Sequence, residues 1–163
     1  MQPAYYEKFD EIEKKIWLML NDAVTNRSSP MRIPVFICGN QENFDGRIVV
    51  LRKSDQSNKL LQFHSDIRSD KITKIQKNKN ASLLFYDKEE KIQFRVKVEC
   101  IVNHENEITK QSWLKTGHIS RKCYLVDKSP GSKSETPTSG LRPELDNFEF
   151  NMEQSEEGYK NFT

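Results

Sequence analysis

The chain has 163 residues, 35% hydrophobic and 31% charged, a length that sets one domain as the first expectation and suffices to bury a real core. Lys+Arg 26 against Asp+Glu 24 leaves a formal net charge of +2, too balanced for a dedicated nucleic-acid binder, whose domain is usually strongly basic. No run approaches the ~18 apolar residues of a membrane span, residues 1–15 hold no apolar signal-peptide core, and Cys38, Cys100 and Cys123 have neither disulfide-framework nor metal-ligand spacing.

Phe9, Ile12, Ile16, Leu20 and Val24 recur every three or four positions, with Trp17 and Met19 widening the stripe. This predicts an amphipathic helix over 6–24, covering the end of a sheet. Turn chemistry at 26–30 ends it. Residues 35–38 read as a short buried strand, and 39–46 as a hairpin-like loop. Residues 47–53 (RIVVLRK) and 60–65 read as strands joined by a polar turn, a spacing that suits antiparallel pairing. Ser69 is placed to cap a short helix that buries Ile72 and Ile75.

Residues 81–86 (ASLLFY) form an apolar strand. Ile92, Phe94, Val96, Val98, Cys100 and Val102 then alternate with polar residues, which predicts a long half-buried strand. A helix over 105–115 is expected to bury Ile108 and Trp113. Residues 127–143, rich in Ser, Pro, Gly and Thr, read as a mobile loop. Phe148, Phe150 and Met152 alternate in the tail, and a further strand is expected to start at Tyr159.

Arg47, Arg52, Arg68, Lys71 and Gln93 fall at strand ends and at a strand-to-helix turn. A phosphorylated, planar, hydrogen-bonding ligand needs that inventory. A helix opening at Ser69 points its unpaired N–H groups and positive dipole end at the turn, where phosphate binds readily. Arg68 can grip phosphate oxygens bidentately, Lys71 adds a point charge, and Ser65 and Ser69 add hydroxyls. An ordinary capped helix with solvated charges would use the same residues. Arg47 and Arg52, five apart on one strand, would point to opposite faces. Gln93 can both donate to and accept from a ring edge. His64 reads as structural, and Cys123 has basic neighbours but no dyad, so no catalytic side chain is assigned.

RIVVLRK (47–53), FHSDIRSDK (63–71), NASLLFYDKEEKIQFRVKVE (80–99) and SRKCYLVDKSPG (120–131) together resemble the pyridoxamine 5'-phosphate oxidase-like family of FMN-binding split barrels. The resemblance covers about 31–131. It implies a mainly β fold with flanking helices: one domain over 1–163, built on a six-stranded antiparallel split barrel. It also implies a homodimer with FMN in a groove between subunits. Carried over, Arg47, Ile48, Val49, Val50, Leu51 and Arg52 would line the flavin. His64 and Ser65 would touch the cofactor, Lys71 its phosphate and Gln93 the ring edge. Arg68 and Ser69 join this set from the turn argument. Ser120 and Arg121 would hold a substrate phosphate.

The departures are specific. Asp70 stands where the oxidases carry a second basic residue, and Arg52 where they carry a lysine. The substrate tyrosine and the final segment with tryptophan, arginines and histidine have no counterpart. Either the chain is a truncated representation or the barrel closes differently. The function expected is an FMN-dependent oxidoreductase, oxidising a phosphorylated amine or alcohol with oxygen as acceptor. The alternative is a non-catalytic barrel that stores or senses flavin, or binds haem. A nucleic-acid-binding barrel fits the charge poorly. A cytoplasmic protein without metal is expected.

Overall fold

The computed structural model describes residues 7–39, 43–146 and 150–163. They group into two compact units, Met1–His64 with Asn80–Glu99, and Ser65–Lys79 with Cys100–Thr163. Phe148 lies outside the described residues.

Among the described residues the first unit holds six strands: β1 (Val35–Gly39), β2 (Phe44–Ile48), β3 (Leu51–Asp55), β4 (Leu60–Phe63), β5 (Asn80–Asp87) and β6 (Ile92–Glu99). They form a four-stranded sheet ordered β2-β1-β5-β6 and a two-stranded sheet, β3-β4. Every pair is antiparallel. The expected class, antiparallel β with flanking helices, is the one observed.

Residues 47–53 are not one strand. The chain leaves β2 after Ile48 and re-enters strand at Leu51 in the other sheet. At the corner the Val49 N–H donates to the Pro34 carbonyl at 3.1 Å. Val49 and Leu51 are both buried, so the apolar run that looked like one strand is the hinge of a strand that switches sheets. The parity argument for Arg47 and Arg52 therefore fails across the break.

The loop before β2 is also shorter than expected, because pairing reaches Gly39 opposite Phe44. Gly39 has φ +138°, and an added Cβ would collide with the Asn43 carbonyl, so only glycine closes this turn without strain. β6 ends at Glu99, short of Cys100 and Val102.

α1 (Phe9–Thr25) carries the predicted stripe, with Leu20 and Ala23 buried. Phe9 stays 93% exposed, so the stripe begins a turn later than the sequence suggests. The helix packs on β3 and on a 3-10 turn, Pro30–Arg32. Arg32 Nη1 reaches back to the carbonyls of Ala23 (2.9 Å) and Val24 (2.6 Å), capping a helix end that has no basic residue of its own.

The second unit is helical. α2 (Asp70–Lys77) follows Ser69 at its N-cap and buries Ile72 and Ile75 as predicted. α3 (Glu107–Leu114) opens with a capping box between Asn106 and Thr109. Ile108 is 54% exposed rather than buried; the box turns Thr109 inward, and Thr109 and Trp113, four apart, form the buried stripe.

α4 (His118–Arg121), α5 (Met152–Glu156) and the 3-10 segments Lys122–Tyr124, Pro143–Leu145 and Glu157–Asn161 complete the unit. No strand starts at Tyr159, which lies in the last of these; only Phe162 forms a bridge, to Asp66.

Trp113 is the hub of this unit, with its ring centroid 5.9 Å from Tyr124, 5.8 Å from Tyr159 and 5.2 Å from Phe162. The Ser/Pro-rich loop carries no helix or strand from 127 to 142 and is closed at its base by the Asp127 N–H donating to Gly140 O at 3.0 Å. No helix among the described residues is long and apolar enough to cross a membrane.

Candidate cofactor site

In the first unit the β3–β4 register slips by one between the pairs Leu51–Phe63 and Lys53–Gln62. Arg52 is the extra residue of this bulge, a distortion that re-aims a side chain. Its Nε is buried and makes no hydrogen bond among the described residues, and Ser54 Oγ on the same strand is in the same state. A buried donor left unsatisfied costs about 1–3 kcal/mol, so a hydrogen-bonding ligand would gain here; the Nε atoms of Arg47 and Arg121 are unsatisfied in the same way.

His64, half-buried just past β4, has its pKa pushed down to about 4, by burial first and by the Arg52 charge second. It is neutral at neutral pH, with one ring nitrogen donating and the other accepting. Arg32 is lowered by burial and then by the charges of Arg52 and Arg27. Cations gathered in this way make a positive field that an anion relieves.

Arg47 pairs with Asp45, and by register its row runs through Phe36, Leu83 and Val96. The next row runs Ile48, Val35, Leu84 and Arg95, and Gln93 shares that second face. Arg47 and Gln93 therefore occupy opposite faces and opposite edge strands of the sheet. Of the stretch lining residues, Ile48 is exposed, Val50 half-buried, and Val49 and Leu51 buried.

In the second unit the turn Ser65–Lys71 is built as a helix entrance. Ser69 is 1% exposed; its N–H donates to Asp66 O at 3.1 Å, and Ile72 N–H donates to Ser69 O at 2.8 Å. Lys71 lies in the first turn of α2. Arg68, expected to grip an anion, is turned to Asp66 instead: Nε to Oδ1 at 3.0 Å and Nη2 to Oδ2 at 2.7 Å. The remaining Nη1 donates to the carbonyls of Val126 and Asp127.

Ser120 and Arg121 face opposite ways. Ser120 is exposed. Arg121 is 1% exposed and lies 4.4 Å from the Trp113 ring centroid. It donates Nη2 to Trp113 O at 2.7 Å and Nη1 to Ser155 Oγ at 3.2 Å, and pairs with Glu156. Its contacts are those of a strut inside the helical unit. Sequence reasoning did not single out Ser54 or Arg32, and quoted Asp66 without a role. Only its burial in the structure sets Ser54 apart, and the D-x-R spacing by itself does not announce the role of Asp66.

The model of the pyridoxamine 5'-phosphate oxidase FMN-binding domain matches residues 17–104. The chain belongs to this family. FMN, the cofactor expected from the sequence, is the one this domain family takes. The orphaned Arg52 Nε, the neutral His64 and the local excess of positive charge fit a phosphorylated, hydrogen-bonding ring system. Solved relatives agree in fold. A pyridoxamine 5'-phosphate oxidase-related FMN-binding protein from Nostoc punctiforme PCC 73102 superposes with TM-score 0.66 at 18% identity, over 99% of this chain and 79% of that one. PhzG from Burkholderia lata 383, solved with tetrahydrophenazine-1-carboxylic acid, gives 0.61 at 16% identity, over 83% of this chain and 66% of that one. No curated protein sequence matches the chain.

Proposed function

We propose that this chain binds FMN and uses it as an oxidoreductase, oxidising a small phosphorylated amine or alcohol with oxygen as acceptor. The observation that carries the reading is the family match over 17–104, a span that contains every residue assigned to the cofactor. Arg52 and His64 would bond the flavin ring system, with Arg47, Ile48, Val49, Val50 and Leu51 supporting it mainly through backbone. Ser65, Ser69 and Lys71 would hold the phosphate at the entrance of α2, and Gln93 the ring edge. Bound FMN supplies the redox chemistry by exchanging electron pairs; the protein supplies binding, orientation and field.

A homodimer is part of the proposal. Arg47 and Gln93 lie on opposite faces of one sheet, so one ligand meets both side chains most simply when two copies contribute. The face bearing Gln93 also leaves Phe44 71%, Ile48 59% and Tyr86 56% exposed, an apolar area that a second copy would cover. Three thiols fit a reducing, cytoplasmic setting.

A second reading is a flavin-binding protein without turnover. It is favoured by Arg121, the residue expected to hold a substrate phosphate, lying inside the helical unit. The two separate on one assay: FMN-loaded protein mixed with pyridoxamine phosphate in air. Peroxide formed in step with substrate loss supports the oxidase. Bound flavin with no peroxide from this or other phosphorylated amines and alcohols supports the binding protein.

A further inference from the structure

The turn assigned to the FMN phosphate is gripped by a clamp that phosphate binding itself does not require. Asp66 is 5% exposed. Its Oδ1 accepts from the Arg68 backbone N–H at 2.8 Å and from Nε at 3.0 Å, and its Oδ2 accepts from Nη2 at 2.7 Å. Arg68 Nη1 extends the clamp to the carbonyls of Val126 (3.0 Å) and Asp127 (3.3 Å), where the Ser/Pro-rich loop begins.

The C-terminal tail holds the same turn from its backbone. Ser65 N–H donates to Thr163 O at 2.8 Å, Thr163 N–H to Ser65 O at 2.9 Å, and Ile67 N–H to Asn161 O at 2.8 Å. The Arg68 pKa is raised, with the Asp66 hydrogen bond as the leading cause. An anion that pulled Arg68 away would strand a buried carboxylate, which is strongly unfavourable.

We propose that Arg68, held by Asp66, is a positioning residue: it locks the turn 65–71 to the base of the Ser/Pro-rich loop, so that Ser69 and Lys71 meet the cofactor phosphate without Arg68 touching it. This rests on the FMN reading above. It assigns to Asp66, an acid beside an anion site, a constructive role.

The test compares FMN with riboflavin, which lacks the phosphate, by flavin fluorescence titration of the full chain. A merely structural loss lowers the folded fraction and weakens both flavins alike. Leu20→Ala is the control for that, because it empties a buried site on α1, outside the turn and the tail that holds it. Arg68→Ala and Asp66→Asn are each expected to raise the FMN Kd about tenfold, the scale of one lost charge-assisted hydrogen bond. The riboflavin Kd should stay within about twofold.

If Arg68→Ala does not fold, the milder Asp66→Asn decides alone. Tighter FMN binding by Asp66→Asn would assign Arg68 to direct phosphate contact and overturn the proposal. An unchanged FMN-to-riboflavin ratio in the variants would overturn it as well. A wild-type chain that binds neither flavin, or does not prefer FMN, would bring down the cofactor reading and this proposal with it.

Discussion

Trp113→Ala is expected to destabilise the helical unit by roughly 4 kcal/mol, the range for emptying a buried aromatic site. Trp113 is 3% exposed. Its ring meets Tyr124, Tyr159 and Phe162, lies under the Arg121 guanidinium, and donates Nε1 to Glu156 at 3.0 Å. The alanine variant removes the hub and leaves Arg121 buried with one of its packing partners gone. Trp113→Phe keeps most of the packing and loses the indole donor, so a smaller loss of about 1–2 kcal/mol is expected. Urea unfolding followed by circular dichroism reads both. A loss below about 1 kcal/mol for the alanine variant would contradict the placement of Trp113 at the centre of this unit.

The second large effect is on pH dependence. His64 titrates near 4 in the folded chain, against an ordinary value of 6.5. Between those values the unfolded chain binds a proton that the native chain refuses, so stability rises with pH across the window. Acidification from about pH 6.5 to about pH 4 should therefore remove on the order of 2–3 kcal/mol at this site alone. Carboxylates contribute over part of the same range, so the comparison is with His64→Gln, which cannot titrate. The variant's stability curve should be flatter, and the gap between the two curves should open below about pH 6.5. Parallel curves would show that His64 charges as freely in the folded chain as in water. FMN binding supplies a second readout, since protonation places a positive charge beside Arg52 and alters the hydrogen bonding of the ring.

The sequence exposes this fold where period and burial coincide. The stripe of α1 beyond Phe9, the N-cap position of Ser69 with Ile72 and Ile75, and the alternation through Phe94 and Val96 each read correctly, because one face of each element is buried or half-buried; the Ser69 side chain itself makes no capping hydrogen bond. The reading fails where tertiary pairing overrides local pattern. Residues 47–53 look like one strand because Val49, Val50 and Leu51 are apolar, and only the two sheets reveal the break. Ile108 is apolar at the right spacing, yet the capping box sends Thr109 inward. Tyr159 resembles a strand start, but Glu157–Asn161 winds as a 3-10 helix, bringing Phe162 opposite Asp66.

The candidate site divides in the same way. Its residue types were legible as an inventory for a phosphorylated ring ligand. The partners of those residues were not. Nothing in the spacing of Arg68 tells whether its guanidinium faces an anion or a buried carboxylate two residues away. Nothing around Arg121 announces that Trp113 and Ser155 will enclose it. The bulge at Arg52 depends on how β3 pairs with β4, a long-range fact that leaves its Nε buried without a hydrogen bond among the described residues.

The most direct measurement is an FMN titration of the purified chain, followed by absorbance between about 300 and 500 nm and by flavin fluorescence. Saturable uptake with shifted flavin bands is expected, weakened about tenfold or more by Arg52→Ala and by Lys71→Ala. No uptake by the folded wild-type chain at ~50 μM FMN, a concentration well above an ordinary cofactor Kd, would contradict the FMN reading.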